Sequence, residues 1–188
     1  MAARRATIRP RQPVLQAHVS EAEYLEMCAC KTGCLGRIVA RLAAIVTGNE
    51  DSEAAVARYA EEMAVAFQIA DDVLDVEHAM EDGGEFGKGA GNDVREGKKT
   101  LLVIHAVERA PPADAARLEE LLWAEDNTDA EVREAVSILE AAGSVEYARE
   151  FAEDLSERAK THLEGLDLEP GPASRLTGFA DFVVQREV

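Results

Sequence analysis

The chain has 188 residues, 47% hydrophobic and 5% aromatic, enough apolar material for one packed domain and too much for a disordered tail. A formal net charge of −17, from 37 acidic and 20 basic residues, excludes a general nucleic-acid binder, which needs clustered lysine and arginine to displace counterions. No stretch approaches ~18 uninterrupted apolar residues, so no membrane span is expected, and no apolar run follows Arg4, Arg5, Arg9 and Arg11 to make a secretory signal.

A cytoplasmic location follows as the expectation. The acidic, lysine-poor balance suits a salt-rich cytoplasm and predicts a halophilic source. Residues 1–17 hold those four arginines, Pro10, Pro13 and no acid, and are expected to be disordered. Residues 18–188 are expected to form the helical domain.

Ser20 and Glu23 have capping-box spacing, and Tyr24, Leu25, Met27, Cys28, Leu35, Ile38, Leu42 and Ile45 recur at helical period until Gly48 and Asn49 stop the run. A second long helix starts at Asp51 or Ser52 and carries Val56, Tyr59, Met63, Phe67, Val73, Leu74 and Val76. Six of the thirteen glycines fall in residues 79–97, which predicts a loop. Helix resumes over Leu101–Val107 and ends at Pro111 and Pro112. Asp114 opens a short helix, Thr128 and Glu131 cap another that Gly143 closes, and a run from Ser144 reaches about Leu163. After Glu169-Pro170-Gly171-Pro172, a last helix carries Leu176, Phe179, Phe182 and Val183. Seven helices and no convincing strand predict an all-α fold.

Cys28, Cys30 and Cys34 form a C-x-C-x3-C cluster with no histidine close in sequence to complete a four-ligand zinc site, so small buried core residues are the plainer reading.

The chemistry concentrates in Phe67-Gln68-Ile69-Ala70-Asp71-Asp72-Val73-Leu74-Asp75. Asp71 and Asp75, four apart, share a helix face, with Asp72 and Gln68 flanking it. Three carboxylates at one helix end repel one another unless a cation neutralises them, and hard oxygen donors suit Mg2+. A merely acidic helix surface is the alternative on spacing alone. Four of the five lysines stand beside glycine or threonine, in Lys31-Thr32-Gly33, Gly87-Lys88-Gly89 and Gly97-Lys98-Lys99-Thr100. Glycines let backbone amides and lysines close on a phosphate, which points to a Mg2+–diphosphate site. The other reading is that these lysines balance local acids.

These two segments, F-Q-I-A-D-D-V-L-D followed by F-G-K-G-A-G-N-D-V-R-E-G-K-K-T-L, resemble the second aspartate-rich motif of the trans-type polyprenyl (geranyl, farnesyl and geranylgeranyl) diphosphate synthases. E-A-E-Y-L-E-M-C-A-C-K-T-G-C-L is similar to the family's Y-x-x-M-x-x-x-K-T segment. The resemblance runs from about residue 18 to the C-terminus. It implies an isoprenoid-synthase-like helical bundle, incomplete at its N-terminus, and a prenyltransferase that joins isopentenyl diphosphate to an allylic diphosphate with Mg2+. Asp71, Asp72 and Asp75 would form the metal site, with Asp71 the foremost direct ligand. Lys31 and Thr32 would contact the allylic diphosphate, Gln68 would border the carbocation, and Lys88 and Lys98 would close over the diphosphate, positioned by Asp93. Arg95 and Lys99 have weaker claims, and Thr100-Leu101-Leu102 departs from the family's T-L-P. The family's first motif, D-D-x-x-D, does not occur before Lys31. The resemblance therefore implies the C-terminal portion of a synthase, impaired alone, acting as a homodimer or as a heteromer with a full-length synthase. A non-catalytic helical partner that modulates such a synthase is the alternative.

Overall fold

A computed structural model describes residues 19–81, 91–124 and 126–185. Among these residues the regular structure is helical, as expected: α1 (Glu21–Cys28), α2 (Cys34–Val46), α3 (Glu53–Glu81), α4 (Asn92–Arg95), α5 (Leu101–Arg109), α6 (Pro112–Trp123), α7 (Asp129–Ala141), α8 (Ser144–Thr161) and α9 (Pro170–Gln185). Residues 1–17, expected to be disordered, lie outside the described set.

Both capping boxes form. The Glu23 amide donates to Ser20 Oγ at 3.3 Å while the Ser20 amide donates to Glu23 Oε2 at 2.9 Å, and Thr128 and Glu131 repeat the pattern. Four boundaries differ from expectation. The first helix is interrupted by a π-helical turn over Ala29–Gly33, where the Cys34 amide reaches back to the Ala29 carbonyl. A π turn inserts one residue and redirects the helix after it, and such insertions concentrate at functional sites. The second helix runs to Glu81 rather than giving way to loop at residue 79, because Ala79 still packs in the core. The short helix α4 stands inside the stretch expected to be loop. Pro112 and Pro170 open helices, since a proline at the first helical position lacks only an amide that would be unpaired anyway.

At 29 residues and about 43 Å, α3 is the axis of the molecule. It packs chiefly against α2 and α8, and also against α9, α7 and α5. Ile69 of α3 and Leu101, Leu102, Leu118, Val132 and Leu139 are fully buried in one core, each worth roughly 1.5–3 kcal/mol of transfer free energy. The close approach of α2 to α3 requires Gly36, whose Cβ, if present, would stand 3.0 Å from the Ala60 carbonyl oxygen. Of the three cysteines only Cys28 is a buried core residue. Cys30 is exposed and Cys34 half-buried; two positions on from Cys28, Cys30 points to the opposite side of the helix.

The other face of α2 is apolar and open. Leu35, Ile38, Leu42 and Ile45 are 66, 50, 55 and 45% exposed, so four members of the first helical apolar set contribute little to this core. Among the described residues no helix is long and apolar enough to cross a membrane.

Candidate active site

The helical period of α3 lays Gln68, Asp71, Asp72 and Asp75 along a little over two turns, and packing then gives the three aspartates separate surroundings. Asp71 is exposed, Asp75 half-buried and Asp72 only 5% exposed. Asp72 Oδ2 accepts a hydrogen bond from the Tyr24 hydroxyl at 2.8 Å, and Oδ1 accepts one from Gln68 Nε2 at 3.1 Å. Burial pushes the Asp72 carboxyl up to about 6, with the two hydrogen bonds and Lys98 pulling the other way and Asp93 adding to the rise. Tyr24, itself 2% exposed, is pushed far upward by burial and by the neighbouring carboxylate, so it is a firm donor. Asp75 Oδ1 and Oδ2 accept the amides of Asn92 and Asp93 at 3.1 and 3.0 Å, and burial raises its carboxyl despite them.

Sequence periodicity groups Asp71, Asp72 and Asp75 as one ligand set. Among the described residues, however, no three aspartate, glutamate, histidine or cysteine side chains converge as a metal cage. The physical reason is that Asp72 and Asp75 direct their oxygens at donors from α1, α3 and α4. The arrangement still fits Mg2+, which holds several waters and takes one or two carboxylates together with substrate phosphates. Asp71 is the most exposed of the three.

The π turn brings the second group of site residues to the same region. Lys31 is exposed on it, and Thr32 lines a groove together with Phe67 of α3. The turn lies tightly on α3: a Cβ on Gly33 would meet Glu61 Cγ at 3.2 Å. Cys28, one turn before Lys31, is pushed up by burial and lies within the fields of both Asp72 and Lys31.

The third group is carried by α4. The Asp93 carboxylate accepts from Lys98 Nζ, Glu96 stands 3.1 Å from the same ammonium, and the Asp93 carbonyl accepts the Lys98 amide at 2.9 Å. These carboxylates push the Lys98 ammonium upward, so it remains a cation at any physiological pH. Gly97 makes the preceding turn with φ +64°, and a Cβ there would lie 2.5 Å from the Leu122 carbonyl oxygen. Lys88 lies outside the described residues. Arg95 and Lys99 point elsewhere: Arg95 donates to the Asn127 carbonyl at 2.7 Å and pairs with Asp129, while Lys99 lies 5.7 Å from the centroid of the Trp123 ring. In Thr100-Leu101-Leu102, Thr100 caps α5 and Leu102 is fully buried, so leucine at the family's proline position leaves a normal helix start.

From Thr32 and Phe67 a groove of about 800 Å3 runs along α2 and α3 toward Thr47 and Ser52, with Leu176 and Phe179 of α9 on its far wall. Its body is apolar. Tyr59 donates to the Leu176 carbonyl at 2.7 Å and so ties α9 to α3 beside it.

Sequence reasoning missed Tyr24 as a site residue. Its place in Y-x-x-M-x-x-x-K-T marks it, but the partnership with Asp72, 48 positions on, is a tertiary fact.

A sequence model of the polyprenyl synthetase family matches residues 10–139. The chain is 41% identical over 170 residues to the short chain isoprenyl diphosphate synthase of Methanothermobacter thermautotrophicus, covering 90% of this chain and 50% of the relative. It is 37% identical over 174 residues to the geranylfarnesyl diphosphate synthase of Natronomonas pharaonis, covering 91% and 48%. Among solved structures, the decaprenyl diphosphate synthase of Rhodobacter capsulatus superposes with a TM-score of 0.80 at 31% identity, covering 90% of this chain and 52% of that one. The geranylgeranyl pyrophosphate synthetase of Geoglobus acetivorans gives 0.75 at 34% identity, covering 92% and 50%. The chain thus spans about half the length of the curated relatives it matches.

Proposed function

The chain belongs to the polyprenyl synthetase family, and from that premise we propose that it forms the diphosphate-holding half of a prenyltransferase site that joins isopentenyl diphosphate to an allylic diphosphate. The observation that carries the reading is that three elements pack along α3: Asp71 is exposed on it, the π turn with Lys31 and Thr32 lies on it at Glu61, and α4, whose Asp93 holds Lys98, is bonded to Asp75. Asp71 is the residue that would hold Mg2+, with water and phosphate oxygens completing its shell. When bound, that ion would supply positive charge to the departing diphosphate.

The chain's own residues add to this in definite ways. The Lys31 and Lys98 ammonium groups offer cations to the diphosphate oxygens, where negative charge grows as the carbon–oxygen bond breaks. The Thr32 hydroxyl offers a donor to the same oxygens. Gln68 donates its amide nitrogen to Asp72, which leaves its carbonyl oxygen, the negative end of the amide dipole, for the allylic cation. The apolar groove beyond Thr32 and Phe67 suits the hydrocarbon tail and shields the cation from water. Lys88, in the glycine-rich segment, is proposed to close over the diphosphate.

A second reading, a helical subunit that modulates a complete synthase, draws support from the open apolar face of α2. Both readings include homodimers or heteromers as working forms. Calorimetric titration of inorganic pyrophosphate with Mg2+ tests the shared site: Mg2+-dependent heat is expected, and Asp71→Asn should weaken it at least about tenfold, the value of one charge-assisted contact. Absence of Mg2+-dependent heat, or heat indifferent to Asp71→Asn, would overturn the proposal. Elongation of an allylic diphosphate by the chain alone, or only on addition of a complete synthase, then separates the two readings.

A further inference from the structure

We propose that Asp75 is a positioning residue rather than a metal ligand: acting through α4, it determines where the Lys98 ammonium stands. The inference deepens the diphosphate site proposed above and rests on that reading for the use made of Lys98.

The geometry begins with an unusual helix start. α4 has four residues, and its N-cap is Gly91, at φ +67°, which has no side chain to accept the amides of the first turn. Ordinarily an aspartate, asparagine, serine or threonine at that position does so, because the first amides of a helix have no partner within it. Here Asp75, 17 positions upstream on α3, takes that part with both carboxylate oxygens, one on Asn92 and one on Asp93, while its own carbonyl accepts the Gly91 amide at 3.2 Å. Three backbone amides of α4 and its cap are thus pinned to one residue of α3.

From α4 the constraint passes to the lysine. Asp93 holds Lys98 twice, through its carboxylate on Nζ and through its carbonyl on the Lys98 amide. Only 13% of the Asp93 side chain is exposed, so the pairing is shielded on most sides. The path from Asp75 to the ammonium therefore runs through α4 backbone and one ion pair, with no long flexible side chain before Lys98 itself. Its result is a cation near Asp72 and Asp75, both of which lie within its field. An anionic ligand carrying a metal ion would compete with Asp93 for Lys98 over a short distance. A cation anchored only by an exposed loop would first have to be ordered, at an entropic cost. Asp71 makes the contrast: it is exposed on the same helix, one turn away.

The test uses the full chain with Asp75→Asn, Asp71→Asn, Lys98→Met and the Asp75→Asn/Lys98→Met double variant. In metal-free protein, Asp75→Asn should raise amide hydrogen exchange at Asn92, Asp93 and Lys98 about tenfold or more, and Asp71→Asn should leave it unchanged. With inorganic pyrophosphate at saturating Mg2+, Asp75→Asn should weaken binding about as much as Lys98→Met. The double variant should be no more than about twofold worse than Lys98→Met, because two residues acting along one path do not add. Unchanged exchange would sink the idea, as would losses that multiply in the double variant or a deficit in Asp75→Asn that is present at low Mg2+ and disappears at saturating Mg2+. Where Asp75→Asn does not fold, Asp75→Glu, which keeps the charge but moves it by one methylene, is read in the same way. If the wild-type chain binds no pyrophosphate, the functional reading falls. The exchange at Lys98 then decides alone: lost protection supports the positioning role and retained protection overturns it.

Discussion

Replacing Tyr24 by phenylalanine removes one oxygen atom from the centre of the site and tests how Asp72 is held. The Tyr24 hydroxyl lies 2.8 Å from Asp72 Oδ2, and the two residues are 2 and 5% exposed, so no water replaces the lost donor. A hydrogen bond to a charged group contributes about 1.5–3 kcal/mol and a neutral one about 1 kcal/mol. Asp72 faces Gln68 from its own helix, Tyr24 and Cys28 from α1, and Asp93 and Lys98 from α4 and the turn beyond it. Its folded carboxyl titrates at about 6, above its ordinary 3.8. A group raised in this way contributes stability that is fully present below its unfolded value and is lost as pH rises through the folded one. In the wild type that loss falls between about pH 4 and 6. Removing the tyrosine donor raises the folded carboxyl further, so the variant goes on losing stability above pH 6. Urea unfolding followed by circular dichroism should therefore show a deficit of about 1 kcal/mol at pH 5 that grows to about 2–3 kcal/mol at pH 8. Tyr59→Phe is the control, because its hydroxyl donates to the Leu176 carbonyl, which does not titrate, and its deficit should be flat across the same range. A Tyr24→Phe deficit equal at both pH values, or below about 0.5 kcal/mol at pH 8, would show that Asp72 is not a buried anion held by this donor.

Two further outcomes follow from local geometry. Gly97→Ala combines a left-handed backbone, at φ +64°, with a Cβ 2.5 Å from the Leu122 carbonyl. It should cost more than about 2 kcal/mol and lower Tm by about 5 °C or more in a thermal scan, and a fall of under about 2 °C would contradict the geometry. Leu42→Gln, on the open face of α2, should change stability by less than about 0.5 kcal/mol while lowering the fluorescence of a hydrophobic dye. A large destabilisation there would mean that the face is covered in solution.

Much of the fold is legible in the residues themselves, because helix starts and apolar period are local properties. Ser20 with Glu23 and Thr128 with Glu131 cap the helices that their spacing predicts. The aspartates of α3 and the lysines beside glycines mark the candidate site as a region, and their resemblance to the second motif of the polyprenyl synthases identifies the family that the comparisons show. Other features depend on what lies across the fold. The π turn at Ala29–Gly33 places Lys31 and Thr32, yet its five residues carry no proline or other local signal for it. The separation of Asp71 from Asp72 and Asp75 is likewise invisible in D-D-x-x-D spacing, because i to i+4 neighbours on a helix share a face whichever donors approach them. Those donors are Tyr24, 48 positions before Asp72, and the amides of Asn92 and Asp93, 17 and 18 positions after Asp75. Sequence alone determined which chemical groups are present and on which helices they stand. Tertiary packing decided which carboxylate faces solvent and which are turned inward, since a carboxylate leaving water is held only where packing supplies the hydrogen bonds that water no longer gives.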